Sequence, residues 1–206
     1  TGDRSEGPLR IGLVAGEDTV GRLGPIIRHL VVGLLDESMY VTVLCPHKGP
    51  MPDVPVPPVD VIRYGPVNWP VLGRKHLAAA AEAVAGSGVR LLHALDVPEL
   101  SLTRRLAART DLPYVAGVYR VRADLRGLDG HCRGLLPAGT PVQEAMGPST
   151  PARPCRIVRP GVHRARKPTC FIDPNHAPAI VPAGPLGEIG PLSAVIEAFS
   201  RLQRSD

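Results

Sequence analysis

Aromatic residues are scarce in this chain of 206 residues, where they make up 3% of the sequence and tryptophan occurs once. Proteins that bind single-stranded nucleic acid usually stack the bases on aromatic side chains that lie between cations. The composition therefore disfavours nucleic acid as a partner. Hydrophobic residues still account for 44% of the chain, so branched aliphatic residues and alanine must fill its core.

Cysteine is also sparse, and no C-x-x-C pair occurs among Cys45, Cys132, Cys155 and Cys170. This spacing argues against a disulfide framework and against a zinc site, so we expect no metal. No apolar run reaches the roughly 18 residues of a membrane span. The N-terminus also lacks the basic, apolar and small-residue order of a signal peptide. Together these absences predict a cytoplasmic protein.

Acidic residues are few in the second half of the chain. Residues 101–170 carry thirteen arginine and lysine residues against four acids, and the whole chain has a net charge of +5. Two explanations fit this pattern equally: a solvated surface rich in arginine, and a face that binds phosphorylated substrates or lipid head groups. Peripheral contact with a membrane therefore stays open, and the sequence does not indicate an oligomeric state.

The most unusual motif follows the first apolar run and reads GEDTVGRLG, residues 16–24. A phosphate-binding P-loop requires lysine and then serine or threonine after the second glycine, where this chain has Arg22 and Leu23. A dinucleotide fingerprint requires G-x-G-x-x-G, which is absent, so a nucleotide-dependent oxidoreductase is disfavoured. The context is nevertheless typical of a strand, a glycine turn and a helix.

Apolar runs that look like buried strands alternate with segments of helical periodicity. The predicted strands are 9–15, 40–44, 59–64, 89–94, 114–118, 132–136, 156–159 and 179–182. The predicted helices are 25–36, 70–85, 98–108, 141–146 and 191–203. This alternation predicts an α/β fold with a doubly wound, Rossmann-like parallel sheet that helices cover on both faces.

Several short segments, taken in order, resemble the N-terminal domain of a family 4 glycosyltransferase of the GT-B architecture. Besides the first strand and its glycine turn, they are VRLLHALD, PYVAGVYR, RIVRPGVH and AIVPAGPLGEIGPLSAVIEAF. The resemblance implies an acceptor-side domain over residues 1–170. It also implies that residues 171–206 are a linker with the first strand and helix of a second, incomplete domain. Hexosyl transfer from a nucleotide-sugar donor to a sugar or lipid-phosphate acceptor is the activity implied.

The candidate site residues follow strands one, four and five, because open parallel sheets bind ligands beyond the carboxyl ends of their strands. The predicted substrate-binding residues are Gly16, Glu17, Asp18, Gly21, Arg120 and Arg122. The candidates for catalysis are His93, Asp96 and Tyr119. We expect the segments 16–21, 93–96 and 119–122 to line a single pocket, in which His93 titrates near neutral pH.

The chain also departs from the family at positions that matter for catalysis. Pro185 and Ile189 stand where the family has the arginine and lysine that hold the donor's diphosphate. Tyr119 falls near the expected catalytic histidine, and His163 replaces an aspartate. We therefore expect no bound cofactor and a diverged or truncated glycosyltransferase that is inactive alone. The alternative is a non-catalytic binding or scaffold protein that kept the fold and lost the donor site.

Overall fold

The computed structural model describes residues 8–55, 57–67, 72–119, 125, 127–146 and 153–159. All of them belong to the first of the two units into which the chain divides, residues 1–163. The last predicted strand and helix lie outside the described residues, as do Arg120, Arg122, Pro185 and Ile189. The predicted second domain therefore stays a prediction.

Six parallel strands form one sheet in this part of the chain, in the order β3-β2-β1-β4-β5-β6. The strands are β1 Arg10–Val14, β2 Tyr40–Pro46, β3 Asp60–Tyr64, β4 Leu91–Ala94, β5 Tyr114–Val118 and β6 Cys132–Pro137. The direction of winding reverses between β1 and β4, which pair directly. The predicted doubly wound parallel sheet is confirmed, and a crevice is expected where the order reverses.

Four α-helices flank the sheet in the described residues. They are α1 Glu17–Asp36, α2 Leu72–Gly86, α3 Leu100–Thr110 and α4 Thr140–Met146, with a short 3₁₀ helix over Val97–Glu99 before α3. Successive strand residues point to opposite faces of the sheet, which separates the core into two layers. Leu13 and Val43 pack with Ile27 of α1 on one face. Leu92 packs with Leu106 of α3 on the other.

The first helix begins earlier than the sequence predicts. Pro25 was expected at its first position, but α1 begins at Glu17 and Pro25 lies inside it. The carbonyl of Gly16 already accepts a hydrogen bond from the amide of Val20 at 2.9 Å. Most of the GEDTVGRLG motif is therefore helix, and Gly16 alone forms the turn.

The predicted strand over residues 156–159 is also wrong in detail. Residues 153–159 run beside β6 with one parallel bridge, Leu135 to Cys155. Three backbone hydrogen bonds join the two segments, and Val158 donates the last of them to the carbonyl of Pro137. Pro137 has no amide to donate to the carbonyl of Arg156, so the ladder does not continue past this bridge.

Candidate functional site

Two cavities open at the carboxyl ends of the strands. The larger cavity has a volume of about 900 Å³ and lies among the start of α1, the ends of β2 and β3, and residues 98–105. The smaller cavity has a volume of about 240 Å³ and lies between α1 and the ends of β4, β5 and β6. Both occupy the position at which open parallel sheets bind ligands.

The start of α1 is held by a carboxylate from a distant part of the chain. Oε1 of Glu99 accepts hydrogen bonds from the amide of Gly16 at 3.0 Å and from the hydroxyl of Thr19 at 2.7 Å. The N-terminus of a helix attracts anions, because its first amides lack partners and its dipole is positive there. Glu99 therefore occupies the place where a dinucleotide-binding fold holds a phosphate.

Gly16 makes this contact sterically feasible. A Cβ atom added to Gly16 would lie 2.6 Å from Oε1 of Glu99, which is closer than nonbonded atoms approach. By contrast, a Cβ atom added to Gly21 would meet no atom within 4 Å. Gly24, the third glycine of the motif, likewise has no atom within 4 Å of an added Cβ, so only Gly16 is required by its surroundings.

Glu99 itself is buried, with 5% of its surface exposed, although it borders the larger cavity. Its second carboxylate oxygen, Oε2, has no hydrogen-bond partner among the described residues. Burial raises the pKa of Glu99 above its ordinary value, and the hydrogen bonds from Thr19 and Gly16 lower it only in part. A buried polar atom without a partner is costly, so a hydrogen-bond donor that reached Oε2 would stabilise it.

Asp96 links the ends of three elements. It is fully buried and pairs with Arg22 of α1, whose side chain is 35% exposed. Oδ1 of Asp96 also accepts a hydrogen bond from the amide of Tyr119 at 3.3 Å. Asp96 therefore fixes the end of β4 against α1 and the residue after β5, and it lines neither cavity.

His93 borders the smaller cavity together with Tyr119. Burial lowers the pKa of His93 to about 4, so its imidazole is neutral at physiological pH. The expectation that His93 titrates near neutral pH is therefore wrong. Desolvation disfavours the imidazolium, and the carboxylate of Asp96 binds Arg22 instead.

The predicted site residues that the structure describes do not line one cavity. Gly16, Glu17 and Asp18 border the larger cavity, whereas His93 and Tyr119 border the smaller one. Side chains alternate along a strand, so His93 faces the α1 side of the sheet while the larger cavity opens beside α2 and α3. Gly21 is exposed on α1 and borders neither cavity. Among the described residues, the candidates that the sequence assigned to a single pocket are thus divided between two cavities.

Four charged residues of the larger cavity were missed in the sequence: Lys48, Arg63, Glu99 and Arg105. Asp96 and Glu99 stand three residues apart before an apolar helix, a spacing usually typical of a local helix cap. In the structure both carboxylates contact α1 instead of capping their own helices. Nothing local in the sequence distinguishes these two arrangements.

The residues that the structure describes contain neither a candidate metal site nor a membrane-spanning helix. No group of three or more histidine, cysteine, aspartate or glutamate side chains there could hold a metal ion. No helix in the same residues has the length and apolar character needed to cross a membrane.

Comparison with solved structures identifies the class of protein that shares this architecture. MurG from Acinetobacter baumannii superposes with a TM-score of 0.57 at 11% identity, over 77% of this chain and 47% of that one. The lipopolysaccharide outer core galactosyltransferase WaaB gives a TM-score of 0.53 at 11% identity, over 73% of this chain and 45% of that one. UGT2 from Phytolacca americana gives 0.50 at 13% identity, over 76% and 53%.

These neighbours are glycosyltransferases of the GT-B architecture, and the likeness shows a Rossmann-like α/β fold that matches theirs. The chain spans about half the length of the structures it matches. No family model matches the sequence, and no curated protein matches it. The comparisons therefore show the fold of this chain, and they show neither its family nor its activity.

Proposed function

We propose that the chain is the acceptor-binding part of a GT-B glycosyltransferase similar to family 4, which transfers a hexosyl group from a nucleotide sugar. The observation that carries this proposal is the larger cavity. Its volume of about 900 Å³ lies at the carboxyl ends of β1, β2 and β3, in a fold shared with glycosyltransferases. Cavities of roughly 300–1,000 Å³ are typical of small-molecule sites.

The chemistry of the larger cavity is consistent with a hydroxyl-bearing acceptor. It offers carboxylates at Glu17, Asp18 and Glu99 together with several cations. Such groups can accept and donate hydrogen bonds to sugar hydroxyls, and they orient a polar ligand without covalent chemistry. The enzyme would act in the cytoplasm, and its nucleotide-sugar donor would bind outside the larger cavity.

Sugar transfer by the complete gene product tests this proposal. Radiolabelled UDP-glucose, UDP-galactose and GDP-mannose would be incubated with the protein and a panel of sugar, sugar-phosphate and lipid-phosphate acceptors. We expect label to appear in one acceptor class. Absence of transfer with every pair would contradict the proposal and favour a binding or scaffold role.

Two matched variants test whether the sugar acceptor binds in the larger cavity. Ser101 on α3 is exposed and borders this cavity, whereas Ala108 on the same helix is exposed and borders neither cavity. Ser101→Trp should fill acceptor space and abolish most of the transfer, while Ala108→Trp should leave it near the wild-type rate. Equal rates in the two variants would place the acceptor elsewhere.

A further inference from the structure

We propose that the larger cavity binds a small anion that also carries hydroxyl groups, such as a sugar phosphate, with a hydroxyl on Oε2 of Glu99 and the phosphate beside Arg63, Arg105 and Lys48. The proposal rests on the proposed function only for the role of this ligand as the sugar acceptor. Binding itself is inferred from the arrangement of side chains.

Glu99 supplies a fixed acceptor for the hydroxyl. Oε1 is held by the amide of Gly16 and the hydroxyl of Thr19, so the carboxyl group cannot turn without breaking two hydrogen bonds. Oε2 then remains buried without a partner among the described residues, on a side chain that borders the cavity. A ligand hydroxyl would satisfy this oxygen, and specificity would follow because a ligand without a hydroxyl leaves it unpaired.

Two guanidinium groups of the cavity are already positioned by backbone carbonyls. Nη1 of Arg63 donates to the carbonyls of Pro46 at 3.0 Å and His47 at 3.3 Å. Nη1 of Arg105 donates to the carbonyl of Val67 at 3.3 Å. Neither arginine has an acidic partner within the part of the chain that the structure describes. Their remaining N–H groups suit a phosphate, which guanidinium binds through paired hydrogen bonds.

Acidic residues in the same cavity do not remove this preference for an anion. Glu17 and Asp18 lie in the first turn of α1, where the positive end of the helix dipole offsets part of their charge. His47 and His76 also border the cavity, and their ring N–H groups can donate hydrogen bonds to an anion.

Calorimetry with glucose 6-phosphate, glucose and inorganic phosphate tests the proposal on the purified chain. We expect glucose 6-phosphate to bind more tightly than either part alone. Glu99→Gln should weaken glucose 6-phosphate and glucose by about tenfold, and Arg63→Gln should weaken glucose 6-phosphate and phosphate by about tenfold, the loss expected for one charge-assisted hydrogen bond. Arg133→Gln is the matched control, because Arg133 is exposed on β6 and borders neither cavity.

A lipid head group presents the same chemistry, and vesicles distinguish the two sources. Phosphatidylglycerol vesicles offer phosphate with hydroxyls, whereas phosphatidylcholine vesicles offer phosphate without them. Binding to phosphatidylglycerol alone that Glu99→Gln and Arg63→Gln both weaken would support the proposal with a lipid source. Binding to neither glucose 6-phosphate nor phosphatidylglycerol would overturn it, and so would binding that neither variant weakens.

Two further readouts separate a failure of this site from a folding defect and from a failure of the proposed function. Should Glu99→Gln fail to fold by circular dichroism, Arg63→Gln and Lys48→Gln carry the test, because both positions are exposed. Glucose 6-phosphate binding that depends on Glu99 without any sugar transfer would remove the proposed function and keep this site. Transfer to a neutral acceptor, with no binding of glucose 6-phosphate or phosphatidylglycerol, would do the reverse.

Discussion

Replacing Gly16 with alanine tests whether the contact with Glu99 holds the start of α1. The backbone of Gly16 has φ −83° and ψ 170°, which alanine adopts without strain. The added Cβ would nevertheless lie 2.6 Å from Oε1 of Glu99. The carboxylate must therefore retreat, and its hydrogen bond from the Gly16 amide must lengthen or break.

The expected loss of stability follows from that one hydrogen bond. A hydrogen bond to a charged group contributes about 1.5–3 kcal/mol, and crowding in a packed site costs about 1–3 kcal/mol. Alanine also restricts the unfolded chain, which returns about 0.4–1 kcal/mol. We expect Gly16→Ala to lower the free energy of unfolding by about 2–5 kcal/mol.

Urea unfolding followed by circular dichroism measures this difference, with Gly21→Ala as the matched control from the same motif. Gly21 lies inside α1 with no neighbour in reach of an added Cβ. Alanine is the better helix former by about 1 kcal/mol, so this variant should be slightly more stable than the wild type. Opposite signs for the two glycines are the result that the structure requires.

A double-mutant cycle isolates the contact itself. In a Glu99→Ala background the added Cβ of Gly16→Ala has no carboxylate to meet, so the second substitution should cost less than about 0.5 kcal/mol. The reasoning is refuted if Gly16→Ala is as harmful in that background as in the wild type. It is equally refuted if alanine at positions 16 and 21 has the same effect.

Three further predictions concern the buried charges. Burial raises the pKa of Glu99 above 4.5, so ionisation of this carboxyl group lowers the stability of the wild type as pH rises through that pKa. Glu99→Gln cannot ionise, so its free energy of unfolding relative to the wild type should increase from acidic to neutral pH. A difference that stays constant with pH would contradict this prediction. Arg22→Ala leaves the fully buried carboxylate of Asp96 without a charged partner and should cost about 3 kcal/mol in urea unfolding. Arg28→Ala, whose ion pair is exposed, should cost less than about 0.5 kcal/mol, and equal losses would contradict the assigned burial. His93, with its pKa lowered to about 4, should show no NMR titration between about pH 5.5 and 8, and the stability that its neutral form provides should fall as pH drops from about 6.5 towards 4; a midpoint near neutral pH would contradict this.

Much of the sheet could be predicted from the sequence because buried parallel strands are continuous apolar runs. Residues 114–118 were predicted as a strand with the same bounds as β5. The start of α1 could not be predicted in this way, since a proline within a helical pattern usually marks its first turn. A tertiary contact at Gly16 stabilises two earlier turns and overrides that local preference.

The site was less accessible to prediction than the fold. The carboxyl ends of β1 and β4 could be foreseen as its position, and Gly16, Glu17 and Asp18 do border a cavity. The face on which each side chain lies depends on the register of every strand, and His93 falls on the other side of the sheet. Glu99 lies 83 residues from Gly16, so no local pattern could join them.

The contact between Gly16 and Glu99, which lie 83 residues apart, should constrain how related sequences vary at these two positions. A glycine at position 16 is required only while a long carboxylate at position 99 reaches the same space. Where relatives carry a short residue at position 99, position 16 is released and can accept a side chain, so we expect the two positions to change together. A signature for this group of proteins is therefore better written as a glycine paired with a distant glutamate than as a run of glycines.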